Sequence, residues 1–234
     1  MTASTHDTRP VALVTGATRG IGLAIAQRLG DTHHILVGGR DAQAVQAVVD
    51  ELPSAAGFVC DLTDEAAVSA ATQTIERLDL LIHSAGIARS TTVEQATREQ
   101  WREIFEVNVV AVADLTRRLL PQLRANQGQV ITINSGSGFH SGPGGALYSG
   151  SKFALRAFTD ALREEERGAV RVSSIHPGRV DTDMQVELQQ QAGRPYVASE
   201  HLRPGSVAEA VALAVFASPE AMVEQVSVRP VFKA

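Results

Sequence analysis

Cysteine is almost absent from this chain. Its 234 residues include one cysteine, Cys60, which cannot form a disulfide bond within the chain. Structural disulfides belong to oxidising compartments, so a reducing cytoplasm is the simplest setting for the protein. Cys60 ends an apolar run directly before Asp61, and we interpret it as a packed core side chain.

Long apolar stretches are missing as well. No segment approaches the roughly 18 consecutive apolar residues of a membrane-spanning helix. The polar start MTASTHDTRP also lacks the basic and apolar regions of a signal peptide. We therefore expect no contact with a membrane, and we predict that residues 1–9 form a flexible N-terminus.

Positive charge and metal-ligand patterns are scarce. Lys plus Arg total 21 against 26 Asp plus Glu, which gives a formal net charge of −5. Nucleic acid is bound by net basic surfaces, so it is not an expected partner. The seven His residues show no paired spacing such as His-Glu-x-x-His, so no metal site is predicted. His83 and His176 lie in strand-like runs and are interpreted as core or hydrogen-bonded histidines. His140 lies in a Gly-rich loop, where it either lines a substrate pocket or is exposed.

Short apolar runs alternate with amphipathic segments along the chain. The runs are VALVT (11–15), HILVG (34–38), AGFVC (56–60), LDLLIHS (78–84), QVITINS (129–135) and VRVSSIHP (170–177). Such near-continuous runs indicate parallel strands buried on both faces. Segments 64–78 and 97–120 are predicted helices, and Thr97 and Ser206 each begin a capping-box pattern. The alternation predicts a single α/β domain over residues 1–234, with a Rossmann-type doubly wound parallel sheet and helices on both faces.

A glycine-rich turn, TGATRGIG (15–22), follows the first predicted strand and opens the first helix. Gly16 permits a tight turn, Gly20 allows backbone to approach a pyrophosphate at the helix N-terminus, and Gly22 allows the helix to pack close to the sheet. The spacing differs from the common G-x-G-x-x-G dinucleotide pattern, and a glycine-rich turn without a ligand stays an alternative.

The end of the second predicted strand bears on the choice of cofactor. An acidic residue usually holds the ribose 2′-hydroxyl there, but this chain has Gly39 and Arg40. A 2′-phosphate is bound well by a guanidinium, and Arg19 in the glycine-rich turn supplies a second one. Two solvated surface arginines are the alternative. The pattern favours NADP(H).

The segment YSGSK holds one of only two Lys and one of only two Tyr residues in the chain. In the helix predicted over 146–166, Tyr148 and Lys152 lie on one face, about one turn apart. An ammonium about 5 Å from a phenol favours the phenolate by roughly 3 kcal/mol at an effective dielectric near 20. We therefore expect Lys152 to lower the pKa of Tyr148 and prepare it for acid–base catalysis. A surface pair is the alternative. Ser135, thirteen residues before Tyr148, ends the fifth predicted strand, where it either holds a carbonyl oxygen or caps the strand.

In combination and order, these motifs resemble those of the short-chain dehydrogenase/reductase family in its short single-domain form. The similarity runs from TGATRGIG through CDL (60–62), SAG (84–86), VNV (107–109), INSGSG and YSGSK to PGRVDT (177–182), over roughly residues 10–230. The resemblance implies a sheet of about seven parallel strands and a catalytic tetrad of Asn108, Ser135, Tyr148 and Lys152. In the family, the Asn holds a water that links the Lys to solvent.

The resemblance also implies a set of cofactor contacts. Asp61 would contact the adenine, Gly86 the neighbouring ribose region, and Thr182 the nicotinamide carboxamide. The other residues that it places at the cofactor are Gly16, Thr18, Arg19, Gly20, Ile21, Gly22, Arg40, Leu62, Ser84, Ala85, Asn108, Tyr148, Lys152, Pro177, Gly178 and Val180. The family usually has Asn where this chain has Ser84, a change that we expect to affect local stability more than chemistry. The C-terminus lacks the family's common Gly-rich ending, which bears on the contacts of a tetramer.

The resulting prediction is an NADP(H)-dependent oxidoreductase that reduces a ketone, aldehyde or 3-oxo compound to an alcohol, or catalyses the reverse reaction. The alternative is an inactive NADP(H)-sensing or scaffold protein on the same fold, although such a protein would be expected to lose Tyr148 or Lys152. An epimerase or dehydratase would need further C-terminal structure.

Two further predictions concern the lid and the assembly. The polar, weakly patterned segment 179–204 is expected to form a mobile lid over the substrate. In it, Met184 and Leu188 offer an apolar face, whereas Arg179, Glu187, Arg194 and Glu200 leave anionic and neutral substrates both possible. By resemblance, we expect a homodimer or homotetramer formed through helices at about 97–124 and 147–167. Their apolar residues could serve the core, the interface or both; they include Val110, Val112, Leu115, Phe153 and Phe158.

Overall fold

Seven parallel strands form the centre of the molecule. The computed structural model describes residues 8–191, 193 and 195–231, so most of the predicted flexible N-terminus and Arg194 lie outside the described residues. The strands are β1 (Val11–Val14), β2 (His34–Gly39), β3 (Ala55–Val59), β4 (Leu80–His83), β5 (Gln129–Ile133), β6 (Arg171–Pro177) and β7 (Gln225–Val228). Their order in the sheet is β3-β2-β1-β4-β5-β6-β7, and every neighbouring pair is parallel.

Helices cover both faces of this sheet. The α-helices of the described chain are α1 (Gly20–Leu29), α2 (Ala42–Glu51), α3 (Glu65–Gln73), α4 (Arg98–Phe105), α5 (Ala111–Ala125), α6 (Ala146–Glu165), α7 (Asp183–Gln191) and α8 (Pro204–Val215). Consecutive residues of β1 belong to different cores, with Ala12 and Val14 in one apolar cluster and Leu13 in the other. A strand with buried residues on both sides reads as a continuous apolar run, which explains the sequence pattern. The predicted fold class is confirmed.

The six predicted strands are all present, with bounds that differ by one or two residues at most ends. The seventh, β7, alternates exposed and half-buried residues and was not located from its sequence. The predicted helix over 97–120 is divided by a π-helical segment, Glu106–Val110. Thr97 forms the predicted capping box with Gln100. The box predicted at Ser206 is wrong, because α8 begins at Pro204, two residues earlier.

The order of the sheet creates a crevice at one edge. The chain leaves β1 to form β2 on one side, and β4 later pairs with the other side of β1. The carboxyl ends of β1 and β4 therefore open to a gap where the winding reverses, the place at which doubly wound sheets bind ligands. Among the described residues, no helix is both long and apolar enough to span a membrane.

Candidate active site

Glycines shape the floor of the crevice. Gly16 and Gly20 have positive φ angles of 64° and 57°, which L side chains rarely adopt. A Cβ on Gly16 would lie 2.9 Å from the Ala85 Cα atom, and one on Gly22 would lie 2.2 Å from the Gly16 carbonyl oxygen. The turn, the loop after β4 and the first turn of α1 therefore pack at distances that only glycine permits.

A cavity of about 280 Å³ lies above this floor. The predicted cofactor residues that line it are Gly16, Thr18, Arg19, Gly20, Ile21, Gly22, Arg40, Asp61, Leu62, Ser84, Ala85, Gly86 and Thr182. Cys60, predicted as core packing, is buried and also lines the cavity. The lining does not include six other predicted cofactor residues, whose contacts with the cofactor stay predictions: Asn108, Tyr148, Lys152, Pro177, Gly178 and Val180. Val180 is buried and pairs with Leu202 in an isolated bridge.

The missing acid at the end of β2 has a steric cause. A Cβ on Gly39 would lie 2.8 Å from Val45 Cγ2 and 2.9 Å from Thr18 Cγ2. An acidic side chain at this position would displace both neighbours. Gly39 lines the cavity, so its missing side chain leaves no carboxylate there to repel a phosphate.

Two arginines stand at the mouth of the cavity. The Arg40 side chain is 77% exposed, and its Nη1 atom lies 3.9 Å from Asp61 Oδ2. The Arg19 side chain is 73% exposed, and its Nη1 atom lies 3.3 Å from Asp183 Oδ2. The pKa of Asp61 is lowered, mainly because its carboxylate accepts hydrogen bonds from the Thr63 backbone and side chain, and also because Arg40 is near. Exposed ion pairs of this kind are weak, so both guanidinium groups remain open to a stronger anionic partner.

Thr15 is a site residue that sequence reasoning missed. Its hydroxyl oxygen accepts hydrogen bonds from the backbone N–H groups of Ser84 and Ala85, both at 3.1 Å, and donates to the Ile82 carbonyl at 3.3 Å. These bonds connect β1 to the loop after β4. The connection runs through the threonine that directly follows β1, so the unusual Ser84 does not need its side chain for it. A buried threonine at the end of an apolar strand was the available signal.

Asn108 lies within the π-helical segment and is 1% exposed. Its Nδ2 atom donates to the Ile87 carbonyl at 2.9 Å and to Ser151 Oγ at 3.0 Å, while its Oδ1 atom accepts from the Ile87 N–H at 2.9 Å. The extra residue of a π turn redirects side chains, and such turns recur at functional sites. Here the segment joins Asn108 to the loop after β4 and to α6.

Tyr148 and Lys152 lie one turn apart on α6, as predicted. Lys152 is buried, and its Nζ atom lies 5.8 Å from the centre of the Tyr148 ring. The ammonium donates a hydrogen bond to the Ile133 carbonyl at 3.0 Å, so it is anchored to the end of β5. The alternative of a surface pair is therefore wrong.

The expected direction of the Tyr148 pKa is wrong. Burial raises the pKa of Tyr148, and hydrogen bonding with the Ser135 side chain only opposes this increase. Burial also lowers the pKa of Lys152 to about 8. Both shifts have the same origin, because removal from water disfavours the phenolate and the ammonium alike. The enclosed site therefore keeps the phenol protonated at neutral pH.

Ser135 follows β5 and begins a short 3₁₀ turn, Gly136–Gly138. Its Oγ atom accepts a hydrogen bond from the Ser137 N–H at 3.1 Å. Because this bond uses an oxygen lone pair, the hydroxyl hydrogen stays available for donation. The structure thus brings Ser135, Tyr148 and Lys152 together, with Asn108 packed against Gly86 beside Lys152.

The three histidines discussed above differ in burial. His83 is buried, its Nε2 atom is 2.8 Å from Thr116 Oγ1, and burial lowers its pKa to about 3. His176 is fully buried. His140 is exposed and does not line the cavity. In the described part of the chain, no cluster of three or more His, Cys, Asp or Glu side chains could hold a metal ion.

The predicted lid contains α7, which leans over the cavity. Asp183 and Met184 line the cavity, while Leu188 is half-buried. The Ser90 N–H donates to Gln191 Oε1 at 3.2 Å, which joins the end of α7 to the loop after β4. At the base of the segment, the Asp181 N–H donates to the Leu202 carbonyl at 2.8 Å. The mobility of this segment stays a prediction.

A doubly wound sheet whose glycine-lined crevice lies beside half-buried Tyr148 and buried Lys152 is typical of a Rossmann-type oxidoreductase. A family model described as short chain dehydrogenase matches residues 10–193. The chain is 32% identical over 243 residues to dehydrogenase/reductase SDR family member 11 of Bos taurus, covering 94% of this chain and 95% of the relative. The chain belongs to the short-chain dehydrogenase/reductase family.

Solved structures agree in fold. An alcohol dehydrogenase from the archaeon Thermococcus sibiricus, complexed with 5-hydroxy-NADP, gives a TM-score of 0.87 at 26% identity, covering 97% of this chain and 98% of the other. A 3-ketoacyl-(acyl-carrier-protein) reductase from Brucella melitensis, complexed with NADH, gives 0.85 at 25% identity, covering 95% and 97%. Similar folds thus carry either nicotinamide cofactor, so the choice for this chain depends on its own residues.

Proposed function

We propose that the protein is an NADP(H)-dependent oxidoreductase that reduces the carbonyl group of a ketone, aldehyde or 3-oxo compound to an alcohol, or catalyses the reverse reaction. The observation that carries this proposal is the grouping of Ser135, Tyr148 and buried Lys152 beside the glycine-lined crevice. The nicotinamide cofactor would supply or accept the hydride.

In this proposal, the phenol of Tyr148 donates a proton to the carbonyl oxygen. Its raised pKa keeps that proton in place at neutral pH, which suits the reductive direction. The Ser135 hydroxyl donates a hydrogen bond to the same oxygen. Lys152 stabilises the phenolate that forms and carries hydrogen-bond donors for a sugar. Asn108 holds the loop after β4 beside Lys152.

An inactive sensor or scaffold protein is the competing function. A buried ammonium with a pKa lowered to about 8 is unfavourable for folding, since burial opposes its charge. A protein without chemistry would gain stability by replacing Lys152. Groups with a strongly shifted pKa are typical of active sites, so the burial of Lys152 beside the cavity-lining residue Gly86 supports the enzyme.

The residues at the mouth of the cavity support a preference for NADP(H). Gly39 excludes a carboxylate by its close contacts, and Arg19 and Arg40 are exposed cations on the lining. The relative complexed with 5-hydroxy-NADP is consistent with this choice. A 2′-phosphate fits these residues because guanidinium groups bind phosphate bidentately.

The cofactor prediction is tested by titrating NADPH and NADH into the purified protein. We expect NADPH to bind at least about tenfold more tightly, a difference of about 1.4 kcal/mol. Arg40→Asp should strongly weaken the binding of NADPH and leave the affinity for NADH similar or higher. Arg28→Asp serves as a matched control, because Arg28 pairs with Glu209 on α8 and does not line the cavity. Equal affinities of the wild-type protein for the two cofactors would refute the assignment.

The reaction is tested by screening ketones, aldehydes and thioester-linked 3-oxo acids with NADPH. Arg179, Glu187, Arg194 and Glu200 on the lid segment leave both anionic and neutral substrates in the panel. Turnover that disappears in Tyr148→Phe would support the oxidoreductase. Tight NADPH binding without turnover of any compound, unchanged by Tyr148→Phe, would favour the sensor or scaffold.

A further inference from the structure

The peptide groups of Ser135 are held by side chains from two strand ends. The Ser135 N–H donates to Asn134 Oδ1 at 2.9 Å. The Ser135 carbonyl oxygen lies 3.1 Å from His176 Nδ1 and also accepts from the Gly138 N–H at 3.0 Å. Asn134 follows β5 and His176 belongs to β6, so both side chains that hold Ser135 come from the sheet. We call these two side chains the clamps.

The contact with a carbonyl fixes the proton on the histidine. A carbonyl oxygen can only accept, so His176 Nδ1 carries the hydrogen, and in the neutral ring Nε2 is then an acceptor. His176 Nε2 and Asn134 Nδ2 are both buried, and neither has a hydrogen-bond partner among the described residues. Each unpaired buried atom lowers the free energy of unfolding by about 1–3 kcal/mol relative to a paired one. Both side chains therefore carry a stability cost beside the hydrogen bonds that they make to Ser135.

Packing holds both side chains in one orientation. The His176 ring lies 4.4 Å from the Phe139 ring, centre to centre. A Cβ on Gly138 would lie 2.9 Å from Asn134 Oδ1, so the absence of a side chain at Gly138 leaves room for the amide. Arg229 donates to the His176 carbonyl oxygen. The two clamps are therefore themselves fixed by their neighbours.

We propose that Asn134 and His176 are positioning residues that hold the Ser135 backbone so that its hydroxyl points at the reacting carbonyl oxygen. This proposal rests on the function proposed above. Ser135 Oγ is already an acceptor for the Ser137 N–H, so the direction of its hydrogen depends on where the backbone places it. A misplacement of about 1 Å in such a group can cost on the order of a hundredfold in rate.

Near-isosteric pairs test the clamps. His176→Asn keeps an N–H donor close to the place of Nδ1, whereas His176→Leu has a similar branch without a donor. Asn134→Asp keeps the acceptor, whereas Asn134→Leu removes it. With an accepted substrate, we expect each Leu variant to lose about tenfold or more in kcat while the NADPH Kd stays within about twofold. We expect each polar variant to regain most of that loss. Equal kcat in the Leu and polar variants would overturn the proposal.

A crystal structure of each Leu variant gives a readout that needs no turnover. Ser135 should move or change rotamer relative to the wild-type crystal structure, and it should stay in place in the polar variants. An unmoved Ser135 in folded Leu variants would refute the clamps whether or not a substrate is known. If one Leu variant fails to fold, the Leu and polar variants at the other position still test the proposal. Asn134 and His176 hold different peptide groups of Ser135, so the two positions are independent. Failure of the proposed function would appear separately, as turnover that Tyr148→Phe does not reduce.

Discussion

Lys152 is a charged side chain in a place where charge is unfavourable. It is 6% exposed, and its ammonium donates to the Ile133 carbonyl at the end of β5. Arginine could keep the charge, but its guanidinium is planar, larger and permanently protonated. The space around one compact ammonium therefore explains why a chain that mostly uses Arg has Lys here.

The first prediction concerns the two residues of this pair. Lys152→Arg should lose about a hundredfold or more in kcat and bind NADPH more weakly, because the guanidinium cannot occupy the same buried position. Tyr148→Phe should lose still more kcat with little change in NADPH affinity, since it removes only the proton donor. Single-turnover rates and cofactor titrations separate the two effects. Near-normal kcat in Lys152→Arg, with the fold intact by circular dichroism, would contradict the assignment.

The second prediction concerns pH. The Lys152 pKa is lowered to about 8, so its ammonium is present below that pH and lost above it. The Tyr148 pKa is raised, so the phenol stays protonated over the same range. The kcat/KM for carbonyl reduction should therefore be level near pH 7 and fall as the pH rises through about 8. A stopped-flow pH profile measures this fall. A reductive rate that stays constant up to pH values near the ordinary Tyr value, about 10, would contradict it.

At the residue scale, the sequence predicted which side chains meet but not their protonation. The spacing of Tyr148 and Lys152 on a helix is a local property and was confirmed. The sign of the Tyr148 pKa shift was wrong, because burial depends on the whole fold and outweighs the hydrogen bond with the Ser135 side chain. Asn134 was not identified, since its contact with Ser135 needs the turn geometry.

At the scale of elements, short side-chain bonds join the strand ends that form the crevice. Thr15 joins β1 to the loop after β4, and Asn108 joins that same loop to the π-helical segment and α6. The loop contains Ser84 and Gly86, which line the cavity. Its shape therefore depends on residues that lie outside it.

The third prediction tests the bond from Thr15. Thr15→Val keeps the shape of the side chain but leaves the Ser84 and Ala85 N–H groups without their acceptor. The free energy of unfolding should fall by about 1–3 kcal/mol, and the Tm by about 2–4 °C for each kcal/mol. Thr15→Ser is the matched control, because it keeps the hydroxyl. Thermal unfolding of both variants measures the difference, and equal Tm values would show that the hydroxyl does not hold this loop.

Element boundaries followed from the sequence where the signal was local. The capping box at Thr97 is completed by Gln100 within the same turn. The helix break at Glu106–Val110 was not predicted, because no proline or glycine marks it and the Asn108 side chain in it contacts Ile87, which is distant in sequence. The edge strand β7 lacks a continuous apolar run since it is only partly covered, so its sequence resembles a loop.

At the scale of the whole molecule, the apolar residues of the two long helical segments have separated roles. Val112 and Leu115 are 4% and 0% exposed and belong to the core. Val110 and Phe153 are 49% and 40% exposed, although both are large and apolar. Phe158 packs against the second apolar cluster. Of the predicted interface residues, Val110 and Phe153 are thus the ones exposed enough to contact a partner.

The last prediction is that these two residues lie in an interface between copies of the chain. We propose a homodimer or homotetramer that buries Val110 and Phe153, because both are exposed and the π-helical segment and α6, which carry them, contact each other. Val110→Glu with Phe153→Glu would place unpaired charges in that interface, at a cost of about several kcal/mol. Multi-angle light scattering at micromolar concentration should therefore show an oligomer for the wild-type protein and a monomer for the double variant. Val93→Glu is the control, because Val93 is 72% exposed in a separate loop and should leave the oligomer intact. A wild-type monomer, or a double variant of unchanged mass, would remove the proposed assembly and leave Val110 and Phe153 as ordinary exposed residues.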